Sequence, residues 1–221
     1  MTRQIVRPAL LVALSAVVFG STVAIATSLS VSTARLSAFT RTYGTPSTCL
    51  LRPVADSHVV GGAAADTNHG TATTLDVRAD PASTSRVLAR FDLSTCSPAI
   101  PPDAVVHSAS LRLTLESNAT ATRTYDLYRA TETWAETTVT WNNQPAVSAS
   151  VTSSAAVSNG TNAPGVVEWN VISDVQDFVS GALTNDGWRL TDSAEDAVVE
   201  LRFEPDEAMG GHPELVITYV D

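Results

Sequence analysis

From residue 54 onward, apolar and polar positions alternate in short runs separated by turn residues. Val87, Ala89 and Phe91 alternate with Arg86, Arg90 and Asp92; Leu111, Leu113 and Leu115 alternate with Arg112 and Thr114. Tyr125, Leu127 and Arg129 alternate with Asp126 and Tyr128, and runs at 198–203 and 215–219 close the set. Successive side chains on a strand point to opposite faces, so each run predicts a strand with one buried and one wet face. Such strands bury their apolar faces against one another. The predicted fold class is therefore all-β, a two-sheet antiparallel β-sandwich of jelly-roll-like form.

One segment breaks the period of two. Ile172, Val175 and Val179 fall on one stripe of a helix, Ser173 and Gln176 have capping-box spacing, and Asp174 suits the positive end of the dipole. Gly181 supplies a left-handed stop. The expectation is one short helix whose Phe178 plugs an end of the sandwich.

The chain's most distinctive stretch is Thr133-Trp134-Ala135-Glu136-Thr137-Thr138-Val139-Thr140-Trp141-Asn142-Asn143-Gln144-Pro145. Residues 139–141 are β-branched and aromatic and predict a short strand, with Asn142, Asn143 and Pro145 turning the chain after it. The two tryptophans have two readings. They are core anchors whose indole N–H groups find buried partners, or they form a stacking platform for a sugar with Glu136 between them.

Ahead of this domain the pattern changes again. Arg3 and Arg7 precede an uncharged run at 8–33 rich in Leu, Val and Ala, with no polar face. Residues 1–34 therefore read as an N-terminal hydrophobic helix, either a cleaved signal peptide or an uncleaved membrane anchor; both export the rest of the chain. Residues 35–53 read as a Ser/Thr-rich connector, and residues 54–221 as the domain. Cys49 and Cys96 are the only cysteines. In an exported chain they predict a disulfide, the alternative being two buried thiols.

Composition narrows the partners. Thirteen basic residues against 23 acidic give a net charge of −10, which repels phosphate backbones and anionic membranes; nucleic acid is excluded as a partner. The same balance disfavours strongly anionic polysaccharides. The length permits one ordinary domain, and 44% hydrophobic content is enough for one core.

Several segments, taken in order, resemble the DNRLRE-domain proteins and the overlapping carbohydrate-binding module family 96. The signature Trp-x-Glu-x-x-Val-Thr-Trp-Asn-Asn-x-Pro lies in the tryptophan stretch. Around it stand Ala55-Asp56-Ser57-His58-Val59, then Thr67-Asn68-His69-Gly70 before Leu75-Asp76-Val77-Arg78, and the run from Arg86 to Leu93. Ser110-Leu111-Arg112-Leu113, Trp169-Asn170-Val171 leading to Gly181, and His212-Pro213-Glu214-Leu215 complete the series. The resemblance covers about residues 54–221. It implies a non-catalytic module that binds polysaccharide. Family 96 modules are associated with alginate binding through basic residues, a substrate that the acidic balance of this chain speaks against.

No catalytic constellation emerges. The four histidines at 58, 69, 107 and 212 have no metal-ligand spacing, and there is no Gly-x-Ser-x-Gly elbow. Glu195, Asp196, Glu200, Glu204, Asp206 and Glu207 read as a solvated acidic face rather than a hydrolytic pair. Asp56, Asp66 and Asn68, in or beside a Gly-rich loop, supply hard oxygens and are the expected ligands of a structural calcium. Trp134, Trp141 and Tyr128 are the expected sugar contacts. Arg78, Arg86, Arg90 and Arg112 either line an anion-binding face or punctuate a solvated one. Asn118-Ala119-Thr120 and Asn159-Gly160-Thr161 match glycosylation acceptors.

The sequence thus reads as a secreted or surface-tethered binding module, not an enzyme, whose partner is an extracellular or cell-wall polysaccharide. A structural or adhesion protein without sugar specificity is the alternative. Exposed aromatics on one sheet face would favour the first, and a uniformly polar acidic surface the second.

Overall fold

The computed structural model describes residues 44–221. The segment read as signal or anchor, and residues 35–43 of the connector, lie outside the described residues. Eleven strands and one α-helix follow in chain order. They are β1 (Ser47–Leu51), β2 (Pro53–Val60), β3 (Leu75–Arg78), β4 (Ser85–Phe91), β5 (Val105–Thr114), β6 (Arg123–Arg129), β7 (Ser153–Val157), β8 (Val166–Asn170), α1 (Ile172–Ser180), β9 (Trp188–Asp192), β10 (Glu200–Phe203) and β11 (Glu214–Val220).

All pairings are antiparallel. One sheet has four strands in the order β1-β11-β5-β8; the other has seven, ordered β10-β3-β4-β9-β6-β7 with β2 added alongside β4. The alternation seen in the sequence explains the layering. Leu111 and Leu113 of β5, Leu215 and Ile217 of β11, Val87, Ala89 and Phe91 of β4, and Tyr125 and Leu127 of β6 all enter one core between the sheets. Trp169 and Trp188 are fully buried within it, and each indole N–H has a partner. Trp169 donates to the Tyr125 carbonyl at 3.0 Å and Trp188 to the Asp174 carboxylate at 2.8 Å. Burying an indole is favourable only when its N–H is matched in this way.

The sandwich starts earlier than expected. Strand β1 lies inside the stretch read as connector and pairs with β11 along its whole length, Ser47 opposite Tyr219 and Leu51 opposite Leu215. Its Ser and Thr residues suggested a linker, yet Cys49 and Leu51 point into the core while Thr48 and Leu50 face out. The alternation spans too few residues to stand out beside a polar linker.

A second departure concerns the tryptophan stretch. Residues 139–141 do not form a strand; residues 136–138 and 141–143 are turns. Asn143 explains this. Its side-chain oxygen accepts from the Thr140 N–H at 2.6 Å and its amide donates to the Thr138 carbonyl at 3.0 Å, so it supplies partners that a neighbouring strand would have given.

The helix forms where expected and Gly181 closes it at φ 73°, but the capping box does not. The Asn170 carboxamide oxygen accepts from the Ile172 N–H at 3.0 Å. Gln176 reaches across to β5 and the residues before it, accepting from the Val106 N–H and donating to the Ala104 carbonyl. Phe178 is half-buried, and its ring centroid lies 5.6 Å from that of Trp188.

Cys49 and Cys96 form the expected disulfide, closing a separation of 47 residues and tying β1 to the turn that follows β4. It therefore bridges the edge of one sheet to the connection leaving the other. In the chain-entropy model a loop of this size is worth about 4 kcal/mol. Cys49→Ser with Cys96→Ser should lower the unfolding free energy by about that amount, read from urea unfolding; an unchanged midpoint would show that the bridge constrains nothing.

Candidate functional site

Strand β4 is buried on both faces. Val87, Ala89 and Phe91 enter the main core, while Leu88, on the opposite face, is equally buried. Leu88 is covered by the tryptophan stretch, which crosses the outer face of the seven-stranded sheet. There Trp134 and Val139 pack with Ala55, Val59 and Leu88 into a second small core, with Trp141 at its margin. The indole N–H of Trp134 donates to the Asp186 carbonyl at 2.9 Å. Asn68, in the loop between β2 and β3, holds the stretch down by donating to the carbonyls of Glu136 and Val139, both at 2.7 Å.

This placement changes the roles expected of the aromatics. Trp134 is 7% exposed, with the Arg90 guanidinium 5.7 Å above its ring. Trp141 is half-buried: Arg86 lies 4.4 Å over its ring, and a Cβ on Gly61 would stand 3.1 Å from ring carbons. Both rings are thus engaged by the protein itself, as anchors in cation–π contact. Of the three expected sugar contacts, Tyr128 alone remains on the open part of the sheet, where β6 places it opposite Arg189 of β9.

The arginines divide sharply. The chain has no lysine, and nine of its arginines lie among the described residues. Arg52, Arg78, Arg86, Arg112, Arg123, Arg129 and Arg202 each have a carboxylate oxygen within 4.0 Å. Arg90 and Arg189 have none, and the Nε of each is buried without a partner. Arg189 donates once, to the Gln144 side-chain oxygen at 3.1 Å. Burial and the nearby Arg86 push its pKa down to about 10, which still leaves it charged at neutral pH. The basic residues singled out from sequence therefore do not share a face. Arg86 and Arg90 lie on the outer side of β4, Arg112 is paired with Glu168 on the other sheet, and Arg78 is tied to Glu200.

Sequence reasoning passed over Arg189 because a single arginine in an alternating run looks like ordinary solvent-side punctuation. Its signal lies in the register. The triplet Leu88–Arg189–Tyr128 runs straight across three strands beside the wall made by the tryptophan stretch. The terminal nitrogens of Arg189 and the Tyr128 phenol, side by side in the register, are groups suited to hydroxyl-rich ligands.

The expected calcium ligands do not gather as a set. Asp66 accepts from the Asn142 amide at 2.7 Å, and Asn68 directs its amide nitrogen to the two carbonyls of the tryptophan stretch. Asp56 instead meets Glu136 and Glu207, with one oxygen of each carboxylate within 4.8 Å of the others. Glu136 stood in the tryptophan motif and Glu207 in the acidic run read as solvated, so only the fold joins them. Hard oxygens at this spacing fit a calcium ion.

Asp56 is 2% exposed and accepts from the Asp206 N–H at 2.8 Å. Burial, opposed by that N–H and reinforced by the charges of Glu207, Glu136 and Asp206, pushes its pKa up to about 7. Burial, then Glu207 and Asp206, raises Glu136 as well.

A carboxyl whose pKa is higher folded than unfolded binds its proton more tightly in the folded state. Without a cation, the contribution of Asp56 to stability should therefore be greatest at acid pH and fall as pH rises from about 4 to about 7, by up to about 4 kcal/mol. Asp56→Asn keeps the acceptor for the Asp206 N–H and should abolish most of that fall. Urea unfolding in chelator from pH 5 to pH 8 measures it; parallel pH profiles for the variant and the parent would refute the assignment.

The fold defines a class, an antiparallel two-sheet β-sandwich module with a partial third layer over its seven-stranded sheet. The model of carbohydrate-binding module family 96 matches residues 47–219, and the chain belongs to that family. A search of curated protein sequences found no match.

Proposed function

We propose that this chain is an exported, non-catalytic module that holds an extracellular or cell-wall polysaccharide against the open face of its seven-stranded sheet. The observation that carries this reading is Arg189, a guanidinium without a carboxylate partner, standing beside Tyr128 in a member of a carbohydrate-binding family. Guanidinium donors and a phenol face serve sugar hydroxyls and the apolar side of a pyranose ring. The net charge of −10 favours a neutral glycan over a strongly anionic one. Export is supported by the apolar run at 8–33, as a signal or a membrane tether, and by a disulfide suited to an oxidising compartment.

A structural or adhesion role is the second reading, favoured by one observation: both tryptophans of the motif are engaged by arginines rather than open to a ligand. Retention of the purified protein on a panel of soluble and insoluble polysaccharides separates the two. Binding to a neutral glycan is expected, and Arg189→Ala and Tyr128→Ala should each weaken it roughly tenfold without unfolding the protein. No retention on any glycan by folded protein would leave the structural reading.

The calcium expectation moves, with Asp56, to the cluster it forms with Glu136 and Glu207. Calcium at pH 8 should raise the melting temperature relative to chelator, and Asp56→Asn should remove the rise. Equal melting temperatures for the parent would dismiss the ion.

A further inference from the structure

Glu195 is the one non-glycine residue with positive φ among the described residues, at 49°. A left-handed backbone at a glutamate is strained and persists only where its surroundings over-determine it. Here they do. The neighbouring Asp192 is 3% exposed, and its carboxylate accepts from the N–H groups of Ala194 and Glu195 at 3.0 and 3.2 Å while Arg123 grips it with two nitrogens. The turn built on Asp192 delivers the Glu195 side chain to the sheet face. There both its oxygens take Arg86, from Nε at 2.8 Å and from a terminal nitrogen at 2.9 Å.

Of the three N–H groups Arg86 then has left, one on its other terminal nitrogen goes to the Gln144 side-chain oxygen at 3.2 Å, the same oxygen that receives Arg189 at 3.1 Å. The Gln144 amide nitrogen donates to the Trp141 carbonyl at 2.9 Å, which fixes which end of the carboxamide faces the guanidiniums. Two like charges share one neutral oxygen, and a carboxylate on one of them lowers their mutual repulsion. Glu195 compensates Arg86 and leaves Arg189 free.

We infer that Glu195 is a positioning residue for the sheet-face site. It clamps Arg86 over Trp141, Arg86 and Trp141 orient Gln144, and Gln144 aims Arg189. The inference rests on the polysaccharide-binding reading for its ligand, but the relay itself exists without one. Without the Glu195 carboxylate, Arg86 repels Arg189 across Gln144 and Arg189 loses its single hydrogen bond, so binding weakens although Glu195 is not itself the ligand's partner.

The test compares the parent with Glu195→Gln and Glu195→Gly in the intact protein. Glycine relieves the left-handed backbone, so the melting temperature of Glu195→Gly should hold or rise, while affinity for the retained glycan falls roughly tenfold in both variants. A residue that only supported the fold would lose stability and affinity together. Gln144→Ala combined with Glu195→Gln should cost little more than either alone, because both break the same relay. A ligand-free readout separates this inference from its parent: the Trp141 indole N–H resonance, assigned through Trp141→Phe, should shift in both Glu195 variants. If the parent protein binds no glycan but the resonance shifts, the relay stands and the binding reading fails. Unchanged affinity, or an unmoved Trp141 resonance, would overturn the positioning role.

Discussion

The structure depends on covering the outer face of β4. In a two-sheet sandwich each strand normally has one face in the core and one in water. Leu88 removes that option, because it is fully buried on the outward side. Something must lie over it, and the stretch from Thr133 to Pro145 does so with Trp134 and Val139. Burying side chains of this size contributes about 1.5–3 kcal/mol each, enough to hold a segment that has no strand ladder of its own. The domain is therefore a sandwich with a partial third layer, and the most distinctive residues of the chain belong to that layer.

The third layer also sorts the charges. On one side it carries Glu136 to Asp56 and Glu207; on the other it carries Gln144 to Arg86 and Arg189. Its two tryptophans, Trp141 and Trp134, take Arg86 and Arg90 over their rings. A cation against an indole loses water but keeps a favourable electrostatic contact, so arginine can lie on an apolar patch where lysine would be drawn back to solvent. That fits a chain whose cations are all arginine. Two of the described cations, Arg90 and Arg189, are left without a carboxylate; Arg90 lies over Trp134, and Arg189 is held through Gln144, whose amide is fixed on the Trp141 carbonyl.

Most of the sandwich was legible because burial on a sheet has a period of two, and Leu111, Leu113, Tyr125, Leu127, Val87 and Phe91 obey it. The helix was legible from Ile172, Val175 and Gly181, though its cap came from Asn170 and not Ser173. Strand β1 was not, since five residues with two inward side chains leave too faint a pattern beside a polar linker. Residues 139–141 misled for a physical reason: β-branched and aromatic side chains report a half-buried surface, and a loop pinned on a sheet offers one as well as a strand does. The core reading of Trp134 was sound. For Trp141 neither reading anticipated that an arginine would occupy its ring.

The site was less legible than the fold because its partners meet only through register. Arg189 and Tyr128 are 61 positions apart in sequence and directly opposite in the sheet. Asp56 and Glu207 are farther apart still, joined by the third layer. Composition gave the sign of the net charge correctly, but a sum hides distribution: an acidic chain can pair nearly all its guanidiniums and still leave one where a ligand could use it. The placement of Arg189, and not the total charge, bears on what this sheet face can hold. The register of Arg189 with Tyr128 comes from the β6–β9 ladder and its anchorage from Gln144 of the third layer, which makes its position a property of the fold.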